Sequence, residues 1–377
     1  MNLSLKISIN IVEYKYITFG MEGKIAHHGR LSGMKKVQWE TLKKCAAMEK
    51  QDKIPVGLIV DSPWMPGYVG ISTLDYFTVP EKWFDANMKI KRDFPELIFI
   101  PDFWVEYGMA AEPSGFGCKI NFYENNTPTV NHIIPSADDM DMVSNIQVPN
   151  PKTDGLLPFA LNLYRNMEPK IKDAGESIKI VAGRGPLAIG THLMGLTEFL
   201  VAMKIDPDNM HKLLKITTIL VKNWLEAQAD VLTEVEGILV LDDIVGFLSK
   251  DDYLEFAHPY LKEIFDAFPK ALKIYHNDTD GDAYYGYLEE LGVNIFNFTH
   301  KKDIADVRAK VGNKVCLLGN VPPLDELVQG TPESVGAAAR KCLENYGATE
   351  GLILSAGGGA SPGTPKENIR AMIAACG

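Results

Sequence analysis

Apolar residues in this chain fall into short unbroken runs, separated by longer stretches with helical spacing. The runs occupy residues 54–60, 97–100, 178–182, 237–241, 272–275, 293–296, 315–318 and 352–354, mostly without the period-two alternation of a half-exposed strand. They read as strands buried on both faces, as in a parallel sheet. The helices between them are marked by their starts. Asp206-Pro207 opens a long helix to about residue 230, Ser249-Lys250-Asp251-Asp252 opens one over 253–268, and Thr331-Pro332-Glu333 opens one over 334–346. Val37, Trp39, Leu42, Cys45 and Met48 give residues 35–50 the stripe of an amphipathic helix.

Eight buried strands alternating with helices predict an α/β protein, a (β/α)8 TIM barrel. A doubly wound sheet is the competing arrangement, because parallel strands look alike in sequence. Residues 1–33 read as a short N-terminal β extension, two strands about a turn at Gly20 to Gly23, and residues 34–377 as a single barrel. The stretch 110–151, rich in Pro, Asn, Asp and Gly, breaks the rhythm and reads as an insertion after strand two and a candidate lid. There is no internal repeat and no low-complexity tract.

Composition narrows the partners. The chain is 46% apolar and 23% charged, which suits a large buried core. Its charge balance, 38 − 49 = −11, disfavours nucleic acid and anionic membranes as partners. Cys45, Cys118, Cys316, Cys342 and Cys376 are scattered without a CxxC pair, which points to a reducing compartment. No run approaches the roughly 18 apolar residues of a membrane span. The N-terminus lacks the apolar core of a signal peptide, so the expected location is cytoplasmic.

In a barrel, chemistry gathers at the C-terminal ends of the strands. There the chain offers Asp61, Ser62, Trp64 and Tyr68 after strand one, and Arg184 after strand three with His192 further along. Asp242-Asp243 follow strand four, His276-Asn277-Asp278 strand five, Asn297 strand six and Gly319-Asn320 strand seven. Strand eight ends in Ser355 and Gly357-Gly358-Gly359, a run that leaves room for a ligand or a backbone to approach. Beyond it, Thr364, Pro365 and Glu367 read as a capping box opening the last helix. Each polar residue also has a plainer reading: Asp242-Asp243 as a helix cap or lysine partner, His276 as a loop histidine, Arg184 as an ion pair. Trp64, Tyr68, Phe103 and Trp104 serve equally as core or as substrate walls.

A series of short motifs runs in order from about Lys36 to the C-terminus. It comprises Asp52-Lys53-Ile54-Pro55-Val56, Gly185-Pro186-Leu187-Ala188 with Gly195, Asp206-Pro207, Asp242-Asp243, Pro259-Tyr260-Leu261, His276, Gly319-Asn320 and the glycine tail. This series resembles the uroporphyrinogen decarboxylase superfamily, and especially its corrinoid-dependent methyltransferases of the aryl methyl ether O-demethylase type. The resemblance implies a (β/α)8 barrel, with a homodimer as the common assembly. Members that decarboxylate uroporphyrinogen carry arginines after strand one to hold the substrate's carboxylates. Here that segment is Val60-Asp61-Ser62-Pro63-Trp64-Met65-Pro66-Gly67, with a carboxylate and no arginine.

Methyltransferase members carry His-x-Cys after strand five and a cysteine in the strand-eight turn, which together bind zinc. In this chain Asp278 and Gly358 stand at the cysteine positions. The resemblance leaves His276 with Asp278, Asp243, Asp242 and Glu255 as candidate zinc ligands. Glu255 lies 276 − 255 = 21 residues before His276, similar to a Glu-x20-His spacing in the ether-cleaving members, whose second glutamate is here Val240. Zinc held by imidazole and carboxylate is a harder Lewis acid than zinc held by thiolates, and it suits an ether oxygen better than a thiol.

The expected activity is therefore transfer of a methyl group from a methoxylated, aromatic small molecule to the Co(I) corrinoid (cobalamin) of a partner protein. His276, Asp243 and Asp278 are the expected catalytic groups. Asp61, Trp64, Tyr68, Arg184, His192, Asn297 and Asn320 are expected to line the substrate, and Gly357, Gly358 and Gly359 to leave room for the corrin. The alternatives are methyl transfer from a methylcorrinoid to a thiol or folate, uroporphyrinogen decarboxylation, and a barrel without catalysis.

Overall fold

The computed structural model describes residues 34–377, so the expected N-terminal β extension lies outside the described residues. Eight parallel strands form where the apolar runs predict them. They are β1 (Gly57–Ile59), β2 (Ile98–Ile100), β3 (Ile180–Arg184), β4 (Gly237–Leu241), β5 (Leu272–Asn277), β6 (Ile295–Phe298), β7 (Cys316–Val321) and β8 (Leu352–Ala356). β3 to β8 pair consecutively in one six-stranded ladder, and β1 pairs with β2. Single parallel bridges, Val56 to Leu354 and Ile59 to Gly359, join β1 to β8. This consecutive order and the return of β8 to β1 make a TIM barrel, unlike a doubly wound sheet, whose order reverses at its centre.

One seam differs from the others. Among the described residues no ladder joins β2 to β3. Side chains tie the two segments instead. Lys91, almost wholly buried, pairs with Asp102 just after β2 and with Glu176 (3.1 Å) just before β3. At the strand ends, the Arg184 guanidinium stacks over the Trp104 ring at 4.8 Å.

Inside the barrel, Ile59, Ile100, Ala182, Leu239, Ile274, Ile295, Leu318 and Ile353 form an apolar cluster. The helix Met34–Ala46 closes its N-terminal end, contributing Trp39, Leu42 and Cys45 to the same cluster. The Trp39 indole donates to Glu236 at 3.0 Å, just before β4. With that end plugged and the interior apolar, the polar side chains of the strand ends collect at the C-terminal mouth.

Several local expectations are corrected. The helix expected over 253–268 is two helices, Lys250–Phe256 and His258–Ala267, because Pro259 has no N–H to continue the first. β7 does not stop at a Gly319 turn: Asn320 and Val321 stay in the ladder opposite Ser355 and Ala356, and the Gly319–Asn320 peptide is cis. The last helix, Lys366–Ala374, has Pro365 at its N-cap and no side-chain cap. The Thr364 hydroxyl donates instead to the Ser361 carbonyl at 2.8 Å, so the expected capping box does not form.

Residues 110–151 contain the short helix Ala111–Gly115, a two-residue hairpin (Ile120–Asn121 with Thr129–Val130) and the 3-10 turn Ala137–Asn145. Ile134, Ala137, Met140 and Val143 are buried. The Ile133 and Ile134 amides both donate to the Leu193 carbonyl at 2.9 Å, which pins this stretch to the helix Pro186–Met194. Among the described residues no single helix is long and apolar enough to cross a membrane.

Candidate functional site at the barrel mouth

Asp242 and Asp243 are neighbours at the end of β4 with different fates. Asp242 is 0% exposed, and its carboxylate accepts the backbone N–H groups of Leu187 (2.9 Å) and Ala188 (3.0 Å). It therefore caps the helix Pro186–Met194. Gly185 permits the approach, since a Cβ there would stand 2.3 Å from Asp242 Oδ2. Burial pushes the Asp242 carboxyl well up, and the two helix N–H groups pull it back.

Asp243 turns the other way. Its Oδ1 accepts the Asp278 amide at 3.2 Å and lies 3.5 Å from His276 Nε2. Burial raises its pKa, with His276 opposing and Asp278 reinforcing the rise. His276, next to last in β5, is 6% exposed and places Nδ1 2.7 Å from Asn297 Oδ1. Asn297 spends its amide hydrogens on the carbonyls of Leu318 (2.7 Å) and Ala356 (3.2 Å). Only its oxygen is left for the histidine, so Nδ1 carries a hydrogen and Nε2 is the ring nitrogen that faces the carboxylates. His276, Asp243 and Asp278 each offer a ligand atom within 4.8 Å of the others.

The β1–β3 side of the mouth holds a second polar group. Arg184 Nη2 donates to Glu106 at 3.1 Å, and the Arg184 amide donates to Glu112 at 2.9 Å. The Ser62 amide donates to the other oxygen of Glu106 at 2.6 Å. Asp61 sits beside this pair. Its Oδ1 is shielded from solvent without a hydrogen-bond partner. Burial and the neighbouring Glu106 push its carboxyl well up, against the pull of Arg184. Burial, Arg184 and His132 together lower the pKa of His192 to about 4, so its ring is neutral near pH 7.

The other expected site residues lie elsewhere. Trp64 is buried beneath the C-terminal helix, donating to the Thr364 carbonyl at 3.1 Å, and Tyr68 stacks on it and bonds Asp93 at 2.8 Å. Phe103 packs against Trp83 and Phe84 in the outer core, which leaves Trp104 as the aromatic beside the polar group. The Asn320 amide donates to the Thr299 (3.1 Å) and Lys302 (2.8 Å) carbonyls, and its oxygen faces Cys342, outside the mouth. Two candidate zinc ligands are set apart from the group around His276. Glu255 is exposed and 3.6 Å from His211, and Asp242 is committed to its helix.

The glycine turn is not vacant. A Cβ on Gly357 would stand 2.4 Å from the His300 backbone nitrogen, and one on Gly358 would stand 2.6 Å from Asp278 Oδ2. At these two positions the missing side chains make room for the protein's own groups. Glu106 and Glu112 were not foreseen as site residues. The available signal was a lone acid in the apolar run Phe103-Trp104-Val105-Glu106-Tyr107, just past strand two.

Comparison with known proteins agrees with this fold. Residues 38–377 match the family model described as Uroporphyrinogen decarboxylase (URO-D). The uroporphyrinogen decarboxylase of Serratia proteamaculans (strain 568) is 25% identical over 274 residues, 70% of this chain and 74% of that protein. The uroporphyrinogen decarboxylase of Dechloromonas aromatica (strain RCB) is 29% identical over 175 residues, 45% of this chain and 48% of that protein. A solved methyltransferase from Methanosarcina mazei superposes with a TM-score of 0.75 at 20% identity, covering 88% of this chain and 96% of that one. At that identity the likeness is one of fold.

Proposed function

The chain belongs to the uroporphyrinogen decarboxylase family, and on that premise we propose that it is a methyltransferase. Its methyl donor is a methoxylated aromatic small molecule, and its acceptor substrate is the Co(I) corrinoid of a separate protein. The observation that carries this reading is the group His276, Asp243 and Asp278, with Nε2 of an imidazole turned onto two carboxylates. Three acceptors facing one point favour a cation or a proton between them.

The donor set fits a divalent ion such as zinc, with His276 Nε2 and oxygens of Asp243 and Asp278 as protein ligands. Such an ion, when bound, polarises the ether oxygen as a Lewis acid. Asn297 holds the His276 ring so that Nε2 cannot turn away. With a proton in place of the ion, Asp243, on the half-open side of the group, would instead pass that proton to the leaving oxygen. In the reaction the methyl C–O bond breaks and its electron pair stays on oxygen. That oxygen takes a proton and becomes a phenol, and the methyl carbon bonds to the electron pair supplied by the acceptor. The group thus stabilises negative charge where it develops.

Two features weigh against the alternatives. The β1 end presents Asp61, and Arg184 is already paired with Glu106, which suits a polycarboxylate porphyrinogen poorly. Among the described residues no cysteine joins the group around His276, so a thiol acceptor has no thiolate-rich zinc to hold it.

The test is methyl transfer from guaiacol or veratrole to chemically reduced cobalamin, followed by its absorbance, with metal analysis of the purified protein alongside. Conversion of at least one of the two ethers is expected. No conversion with both, in protein shown to be folded, overturns the reading.

A further inference from the structure

The strand-end layer of the mouth holds several carboxylates and few cations, and Arg184 among them is already committed. Arg184 is 8% exposed, with Nη2 on Glu106, its amide on Glu112 and its guanidinium over Trp104. Out at the rim, Lys301 lies 3.1 Å from Asp280. His192 stays neutral near pH 7 beside Arg184. A substrate carboxylate entering this layer would meet Asp61, Glu106, Asp243 and Asp278, while Arg184 is already paired with Glu106. Burying such a charge unpaired is costly.

Asp61 supplies the complementary observation. Its Oδ1 is out of solvent and accepts no hydrogen bond, and the neighbouring Ser62 hydroxyl, in a residue 1% exposed, is also unpartnered. An unpartnered buried carboxyl oxygen calls for a donor. Asp61 Oδ2 lies 3.8 Å from where a Cβ on Gly359 would stand, and Asp278 Oδ2 lies 2.6 Å from the corresponding point on Gly358. The two carboxylates therefore flank adjacent residues of one turn, and a group held at Asp61 is beside the reactive group.

We propose that the methyl donor carries a hydrogen-bond donor, a phenolic hydroxyl or an ammonium, and no carboxylate, and that Asp61 makes this selection. The proposal rests on the ether-cleaving reading given above. It names the substrate class of that site, with Asp61 accepting from the donor group while Glu106 keeps Arg184 from serving a carboxylate.

A matched series of ethers tests it: vanillylamine, guaiacol and vanillate, which carry an ammonium, no charge and a carboxylate at the same ring position. Methyl transfer to reduced cobalamin is expected to be at least about tenfold more efficient in kcat/KM with guaiacol than with vanillate. Vanillylamine should equal or exceed guaiacol. In Asp61→Asn the vanillate-to-guaiacol ratio should rise several-fold. Vanillate used as well as guaiacol would overturn the selection and leave the function standing.

Should none of the three transfer, the ether reading itself fails. A binding arm then decides the selection alone, using titration calorimetry with catechol and 3,4-dihydroxybenzoate. Catechol binding at least about tenfold tighter supports it, and equal affinity, or no binding of catechol, sinks it.

Discussion

On β4, β5 and β6, ladder-paired strand ends deliver Asp243, His276 and Asn297 to one place through hydrogen bonds between adjacent strands. On β1, β2 and β3 the sheet has no ladder across one seam, and Glu106, Glu112, Arg184 and Asp61 are assembled by long-range ion pairing. The first arrangement fixes one ring nitrogen with an amide that has no alternative orientation. The second balances buried charge and sets what the mouth will accept. Rigid backbone register suits the group that must touch the reacting atoms, and side-chain electrostatics suit the wall that selects.

Substitutions in the two halves should separate these roles. His276→Ala is expected to lower methyl transfer by a hundredfold or more while the denaturant midpoint stays close to that of the wild type. A variant that keeps wild-type rates would remove the β4–β6 side from the mechanism. Glu106→Gln should do the reverse, costing about 3–5 kcal/mol of stability because Arg184 is left buried without its partner. Chemical unfolding reads this directly, and an unchanged midpoint would mean the Glu106–Arg184 pair does not hold this wall together. Asn297→Ala should cost about 10–100-fold in activity or metal affinity, by freeing the His276 ring, and about 1–3 kcal/mol of stability, because buried carbonyls lose their donor.

The smallest effect is in pH dependence. His192 titrates near 4 when folded against 6.5 in the reference state, so between those values the unfolded chain binds the extra proton. Its contribution to stability is full above about pH 6.5 and is lost as pH falls toward 4. His192→Gln should flatten the fall in unfolding midpoint across that window, and an identical slope in both proteins would place the titration elsewhere.

Much of the fold was legible because buried parallel strands leave unbroken apolar runs, and all eight lie where those runs are. The mouth was partly legible for the same reason: residues one or two past each run land on one face. Asp243, His276, Asp278 and Arg184 were found this way. What failed depended on side-chain direction, which spacing does not encode. Asn320 faces outward, although its register partner Ser355 lies in the ladder beside it. Trp64 and Tyr68 lie past the strand end but turn into the helical layer. Glu106 was hidden by its apolar neighbours, and its partner Arg184 lies 78 positions away. Pairing at that separation is invisible to any local pattern.

The turn after β8 bears on how such a site could change over generations. Gly358 has φ +131°, a conformation side chains rarely adopt, and the Asp278 carboxylate occupies the space a Cβ would need. A cysteine at position 358 would be strained by that backbone and would push the Asp278 carboxylate aside. Shrinking 278 first would strip the group around His276 of a carboxylate before any thiolate replaced it. The two positions are interlocked, so a single substitution from this chain leads through an impaired protein. A thiolate site would have to arrive by paired replacement, together with a change in the path of the turn.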